Sequence, residues 1–454
     1  MAMGQRRGER QETLFVPSGT LAKSPGHPFY EALNGLLTEA RFDRFVEDRC
    51  ASFYAETMGR PGTPPGVYFR MLMIGYFEGL SSERGIAWRC ADSLALRMFL
   101  GYGLDEMPPD HSTLSRTRRL LDLETHREVF THVLGLLAQH GLVKGTTVAI
   151  DATTLEANAA LRSIVRRENG QSYEEFLNDL ARESGIETPT REDRAKLDRK
   201  RKKKGSNDDW VHPQDPDAAI TKMKDGRTHL AHKLEQAADL ESTAIVGVTV
   251  QPAHRGDSAS VLETLAEAAA QLEQALPDQD VLAEAVLDKG YHCNSVLREM
   301  SEMDIRSYAS EPDRGRRCWK NKPDEKRAVY NNRRRISGER GKALMRRRAE
   351  VIERSFAHML ETGGLRRVHV RRTDNVLKRV LIQAATYNLG LLMRTLVGVG
   401  TPRSLQGRLR AMFAALGRFR TAILALLAHL RAVERTMTRS WAHATCSTNF
   451  LCAA

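Results

Sequence analysis

Cysteine is sparse in this 454-residue chain, and the six present (Cys50, Cys90, Cys293, Cys318, Cys446 and Cys452) are too scattered to form a Cys-x-x-Cys pair. That spacing suggests neither a disulfide framework nor a zinc site, and a reducing cytoplasm is the compartment it suits. Long apolar runs are absent as well. The longest aliphatic stretch, Thr421 to Leu430, falls far short of the ~20 residues that cross a bilayer. The opening residues, MAMGQRRGERQETLFV, lack the apolar core of a signal peptide. The expectation is a cytoplasmic, nucleoid-associated protein with no membrane partner.

What is present is charge. Charged residues make up 28% of the chain and apolar ones 41%, slightly above and slightly below the globular norm. Lysine and arginine outnumber the acids by 69 to 57, a net charge of +12. A basic chain favours polyanionic partners, because each phosphate neutralised releases a condensed counterion. Charge alone is a broad signal, shared by many unrelated basic proteins. The length allows more than one core.

Residues 27 to 140 read as helical, with apolar residues at three- and four-residue steps through FYEALNGLL, VYFRMLMIGYF and LALRMFLGYG. Met107-Pro108-Pro109 breaks the pattern, and Asp110 or Ser112 can cap a new helix, HSTLSRTRRLL. Its Arg116, Arg118 and Arg119 suit phosphate contact, and equally a solvated helix face. From Gly145 the pattern changes to a short β-rich run, Thr146 to Ile150, ending at Asp151. Residues 160–226 are highly polar and read as an insertion, partly helical or mobile, too poor in apolar surface to fold alone. Its basic cluster, Arg199 to Lys204, offers Lys202 and Lys203 to a DNA backbone.

Strands are expected at Thr228 to Ala238 and Ala244 to Val250, antiparallel around the turn Asp239 to Ser242. A helix (Ser258 to Leu276), a strand (Val281 to Leu287) again ending in an aspartate, a helix (Ser295 to Met303) and a strand (Ile305 to Ala309) follow. Arg314 to Arg348 is basic and poorly patterned, whereas Met345 to Leu360 and Asn375 to Val397 are helical. This order predicts a mixed α+β fold, a mixed sheet with flanking helices after an all-helical region. From Thr401 an arginine-rich amphipathic helix is expected, suited to docking or to a plain surface.

Asp151 and Asp288 each close a strand pattern, where a carboxylate is projected past the sheet edge. Clustered carboxylates cannot all stay ionised without a counter-charge. Two divalent ions can supply it while activating a water and stabilising a leaving oxygen, and oxygen-only ligands suit Mg²⁺ or Mn²⁺. Strand-end aspartates also serve as caps and turns. Secondary candidates have ordinary rivals. Lys289 suits a phosphate and His292 a water, or either is structural. Asp257 reads as a helix N-cap rather than a ligand. His229 and His232 fall on opposite strand faces and cannot form one ligand pair. Trp319, in a basic stretch, could stack on a base, although a core or surface tryptophan is the plainer reading.

The segments Ile150-Asp151-Ala152-Thr153, Asp288-Lys289-Gly290-Tyr291-His292 and Ile352-Glu353-Arg354-Ser355-Phe356 resemble the three signature segments of bacterial insertion-sequence DDE transposases. HLAHKLEQAADLESTAIVGVTVQPAHRGDS is similar to the paired strands between that family's two aspartates, and HSTLSRTRR to the end of its N-terminal helical domain. The resemblance spans about residues 25 to 395. It implies an RNase H-like domain at 143–397, carrying the insertion 160–226, after a helical DNA-binding domain at 27–142. An extension at 1–26 and a tail at 398–454 flank them. It also implies Asp151, Asp288 and Glu353 as catalytic, metal-holding acids, spaced 137 (288 − 151) and 65 (353 − 288) residues apart. The expected reaction is hydrolysis at the transposon's terminal inverted repeats, then attack of the freed 3′-hydroxyl on target DNA. The partners implied are double-stranded DNA and further copies of the chain, with Mg²⁺ or Mn²⁺ as two ions.

One departure concerns the third acid. Many such transposases place Tyr seven and Arg four residues before the glutamate and Lys seven after it. Around Glu353 those positions hold Arg346, Ala349 and Leu360. Around Glu350 they hold Ala343, Arg346 and Ala357, so only Arg346 fits, and it joins the candidates for DNA contact. Glu353 is preferred for its Glu-Arg-Ser-Phe-Ala context. Two other classes stay open: an RNase H-like nuclease that cuts without joining, and a non-catalytic DNA-binding protein derived from a transposon.

Overall fold

Capping chemistry divides the helical region as the sequence suggests. The protein is described by a computed structural model over residues 26–405, apart from 56–61, 202–204, 224, 314 and 316. Lys202, Lys203 and nearly all of the arginine-rich tail therefore lie outside the described residues. The helices are α1 (Pro28–Glu39), α2 (Phe42–Cys50), α3 (Pro65–Glu78), α4 (Glu83–Asp92), α5 (Leu94–Leu100), α6 (His111–Leu120) and α7 (Leu123–Gln139). The side chains of Ser82, Ser93, Asp110 and Asp122 accept N–H groups at the starts of α4, α5, α6 and α7. Each such cap contributes about 1 kcal/mol. Helix α3 is buried on every side from Pro65 to Phe77, including Arg70. That arginine's fork donates to both oxygens of Asp43 at 2.9 and 2.7 Å, which is what lets a guanidinium sit in the core.

The sheet is built from β1 (Thr147–Glu156), β4 (Ala219–Lys222), β5 (Thr228–Asp239), β6 (Ile245–Pro252), β7 (Glu284–Leu287) and β8 (Arg306–Ala309). Between β1 and β4 lie β2 (Val165–Arg166), α8 (Tyr173–Glu183), α9 (Arg191–Lys200) and β3 (Trp210–Val211). Helices α10 (Asp257–Ala275), α11 (Asn294–Glu302), α12 (Pro323–Ser337), α13 (Glu339–Ala357) and α14 (Thr373–Val397) complete the chain. Strand order is β6-β5-β1-β7-β8, with β4 and β6 sharing one edge of β5. β5 runs antiparallel to β1 and β6, whereas β1, β7 and β8 are parallel. This is the mixed, RNase H-like sheet expected.

Helix α10 covers one face. It approaches so closely that a Cβ on Gly247 of β6 would lie 2.9 Å from Ala268 of α10. Helix α13 crosses the other face, where Val351 and Ile352 join Ala149, Val286 and Ala238 in one apolar cluster. Helix α14 is long and apolar enough to cross a bilayer, yet most of it is buried within the fold. Its Asn388 donates to Ile245 O and accepts from Ile245 N, covering the edge of β6.

Three expectations are corrected. Strand β1 does not end at Asp151 but continues to Glu156, because the longer β5 goes on pairing it after β7 has stopped. Arg314 to Arg348 is largely helical, as α12 and the start of α13. Narrow buried stripes such as Ala328, Val329 and Asn332 were masked by the outward arginines. The insertion is not without a core. Its Ile164, Trp210 and Ala218 form one together with Ala157 and Leu230 from either side of it, with Tyr173 and Phe176 packed against it. The guanidinium groups of Arg166 and Arg201 lie over the Phe176 ring, each at 4.9 Å, so basic residues serve as packing. The buried Asp215 holds this unit to the sheet by bonding His232 (3.2 Å) and the backbone N–H of Arg372 (2.8 Å).

Two predictions follow from this packing. Gly247→Val should lower the urea midpoint by the equivalent of about 1–3 kcal/mol, the usual cost of overpacking; an unchanged midpoint would show that α10 is free to move away. His126, fully buried on α7, donates from Nδ1 to Asp122 O and accepts at Nε2 from the Tyr68 hydroxyl. Burial lowers its pKa to about 3. The unfolded chain binds that proton more readily, so its contribution is complete above pH ~6.5 and lost as pH falls toward 3. The unfolding midpoint of His126→Gln, followed from pH 7 to 4, should vary less steeply than that of wild type.

Candidate active site

The parallel register pairs Ile150 with Leu287, so Asp151 and Asp288 are the next residues on adjoining strands about 4.8 Å apart. Asp151 lies two residues after Ala149 and so faces α13. Its Oδ1 accepts the Ala152 N–H at 2.8 Å, and its Oδ2 meets Arg348 Nη2 of α13, also at 2.8 Å. Asp288 opens a 3₁₀ turn, Lys289–Tyr291, and accepts the Lys289 N–H at 2.7 Å. Burial raises the pKa of Asp151, Arg348 and the Ala152 N–H oppose the rise, and the charge of Asp288 adds to it. The two carboxylates thus feel one another, and at Asp151 a guanidinium answers the charge.

A second ionic group supports the turn from the α10 side. Lys233 Nζ lies 2.7 Å from both Glu235 and Asp257, and Glu235 is fully buried. Glu235 also accepts from Ser260 (2.5 Å), Thr264 (2.7 Å) and Tyr291 (3.4 Å). A Cβ on Gly290 would stand 2.7 Å from the Asp257 carboxylate. The Asp-Lys-Gly-Tyr turn therefore docks through its tyrosine, and a side chain at Gly290 would push Asp257 out of its present place beside Lys233. Asp257 was expected as an N-cap; Gly256 holds that position, and Asp257 is drawn instead to the nearly buried Lys233 ammonium.

Glu353 is not brought beside the aspartates. Arg348, Val351, Ile352 and Ser355 form the buried stripe of α13, and Ser355 bonds Gln236, the register partner of Asp151. Glu353 stands two residues from both Val351 and Ser355, on the outward side, and is exposed. Glu350 is exposed too, bonded to Arg347 (3.0 Å) and Arg354 (2.6 Å). The Arg347 bond is the main cause of its lowered carboxyl pKa. Among the described residues, no three His, Cys, Asp or Glu side chains are grouped to hold a metal ion.

The other candidates are spread out. Lys289 is exposed beside Asp288, whereas His292 is fully buried, which does not suit a residue orienting solvent water. His229 pairs with Asp225 (2.9 Å) and His232 with Asp215, on opposite faces as expected. Arg116, Arg119 and Arg346 are exposed, while Arg118 is paired to Glu83 at 2.8 Å. Trp319 is half-buried against the core, tilted on Tyr330. Sequence reasoning missed Arg348, hidden in the run Arg346-Arg347-Arg348 until helix phase singles it out. It also missed Lys233 and Glu235, for which the only local signal is that they are two apart on one strand face.

Comparison with known proteins identifies the family. Residues 144–389, more than half of the chain, match the family described as "Transposase DDE domain". Residues 21–120 match "Transposase domain (DUF772)". No curated relative matches the chain. Similar solved structures include the Mos1 transposase paired-end complex with left transposon end, at 11% identity over 68% of this chain and 82% of that one, with a TM-score of 0.19. The Mos1 mariner paired-end complex with Mn is 11% identical over 72% of this chain and 86% of that one, also at 0.19. Overlaps so low carry no weight for fold or function. The family match over the sheet and its flanking helices does carry weight: the chain belongs to the DDE transposases.

Proposed function

We propose that this transposase cuts the ends of its DNA element with Asp151 and Asp288 as metal-holding carboxylates, and joins the freed 3′-hydroxyl to target DNA. The observation that carries the reading is the Ile150–Leu287 pairing, after which the next residue on each chain segment is an acid, just where the parallel pairing stops. Their donor chemistry fits Mg²⁺ or Mn²⁺, hard cations content with one or two carboxylates plus water and phosphate oxygens. Bound there, two such ions would activate water and stabilise the leaving oxygen.

The chain's own groups have definable tasks. Backbone N–H groups hold one oxygen of each aspartate, orienting the carboxylates. Tyr291, Glu235, Lys233 and Asp257 fix the turn that carries Asp288. Lys289 places an exposed cation beside it for an incoming phosphate. Glu353 is the better proposal for a third acid, since both oxygens of Glu350 are engaged by arginines. Arg116, Arg119 and Arg346 are proposed backbone contacts for duplex DNA, and the working complex is proposed to hold more than one copy of the chain.

Asp151→Asn and Asp288→Asn should each lower Mg²⁺-dependent cleavage of end-bearing DNA more than about 100-fold, since even outer partners of a metal site are worth 10–100-fold. DNA binding should be largely kept. Full cleavage by both variants would remove the site. Glu353→Gln compared with Glu350→Gln identifies the third acid, and ends that are cut yet never joined would reduce the activity to that of a nuclease.

A further inference from the structure

Arg348 occupies the side of Asp151 that faces α13. The residue is 7% exposed, and its guanidinium lies 2.8 Å from Asp151 Oδ2 and reaches Ile150 O at 3.3 Å. The other Asp151 oxygen already accepts the Ala152 N–H, so Oδ2 is the oxygen at which Arg348 and an added cation compete most directly. Arg348 Nε is buried and without a hydrogen-bond partner, so part of this arginine's bonding capacity is unused where it now lies. No second acid on α13 answers it: Glu350 is tied to Arg347 and Arg354, and Glu353 faces outward.

From this geometry, and resting on the metal-site reading above, we propose that Arg348 is a built-in stand-in for the metal. It neutralises Asp151 while the protein is free of divalent cation and must release Oδ2 before a cation can be held there. A guanidinium and a dication compete for one carboxylate oxygen, because as like charges in a half-buried place each weakens the hold of the other. The competition makes metal uptake weak in the free protein. It favours occupancy when something else, such as a DNA phosphate, can take the released guanidinium, which forms paired bonds with phosphate as readily as with carboxylate. The arrangement couples cleavage competence to the presence of DNA through one side chain.

The test is Mn²⁺ binding by the full-length protein without DNA, read from the loss of the free-ion electron paramagnetic resonance signal. Arg348→Met keeps the aliphatic stem and removes the charge, and should bind Mn²⁺ about tenfold more tightly, the worth of one charged hydrogen bond. Arg348→Lys keeps the charge and should bind as wild type does, which separates charge from packing if Arg348→Met folds poorly. Adding Asp151→Asn to Arg348→Met should abolish the gain. Wild type that binds Mn²⁺ while Arg348→Met binds no tighter overturns the stand-in and leaves the metal site intact. Tighter binding by Arg348→Lys equal to that of Arg348→Met also overturns it. Absence of binding in wild type and Arg348→Met alike overturns the stand-in, whereas the metal-site reading stands or falls on Mg²⁺-dependent cleavage by the Asp151→Asn and Asp288→Asn variants with DNA present.

Discussion

The parallel pairing of β1 with β7 is the constraint on which the rest of the site depends. Four register pairs, from Thr147–Glu284 to Ile150–Leu287, align two strands that are distant in sequence, and the residue after the last pair is acidic on both. Side by side, two carboxylates repel, and partial burial of Asp151 adds to the cost. The apolar strands around them, Val148 to Ile150 and Ala285 to Leu287, are fully buried, and their packing holds the acids in a position that charge alone would oppose. Such placement is expected where a site, rather than stability, sets the residue.

Ionic groups lie on both faces of the sheet, with different roles. On the α10 face, Lys233 is shared between Glu235 and Asp257 and surrounded by hydroxyls, so the buried ions are paired and bonded. Removing one partner would strand another, which makes this group rigid. On the α13 face, Arg348 makes fewer bonds and keeps one nitrogen unsatisfied. The contrast separates a scaffold from an exchangeable contact: the fully bonded network positions the turn bearing Asp288, whereas the less bonded arginine meets Asp151.

Much of this was legible in the sequence. Both aspartates could be placed because apolar runs lead into them, and the β5–β6 pairing was readable from alternation around a short turn. The continuation of β1 past Asp151 was not, because Ala152 to Glu156 carries little apolar signal and owes its extension to β5, more than seventy residues on. The insertion looked coreless because its apolar residues are few and far apart, and only folding brings Ile164, Trp210 and Leu230 together. Arg348 and Glu353 differ by five residues, and the sequence could not say which of them α13 turns toward the sheet.

That phase is set by what α13 buries. Turning Glu353 inward as a rigid helix would expose Val351 and Ile352, at about 1.5–3 kcal/mol for each side chain. Ser355 would also leave Gln236. A change of side-chain rotamer at Arg348 needs none of this, so it is the inexpensive motion at the site. Glu353 has a second route. It sits in the last turns of α13, just before a π-helical segment, His358–Thr362, where the regular hydrogen-bond ladder is already interrupted. Rewinding from that interruption would move Glu353 while Val351 and the stripe before it stay packed. Access to the aspartates and supply of the third acid would then be separate events on one helix, the first governed by Arg348 and the second by the helix end.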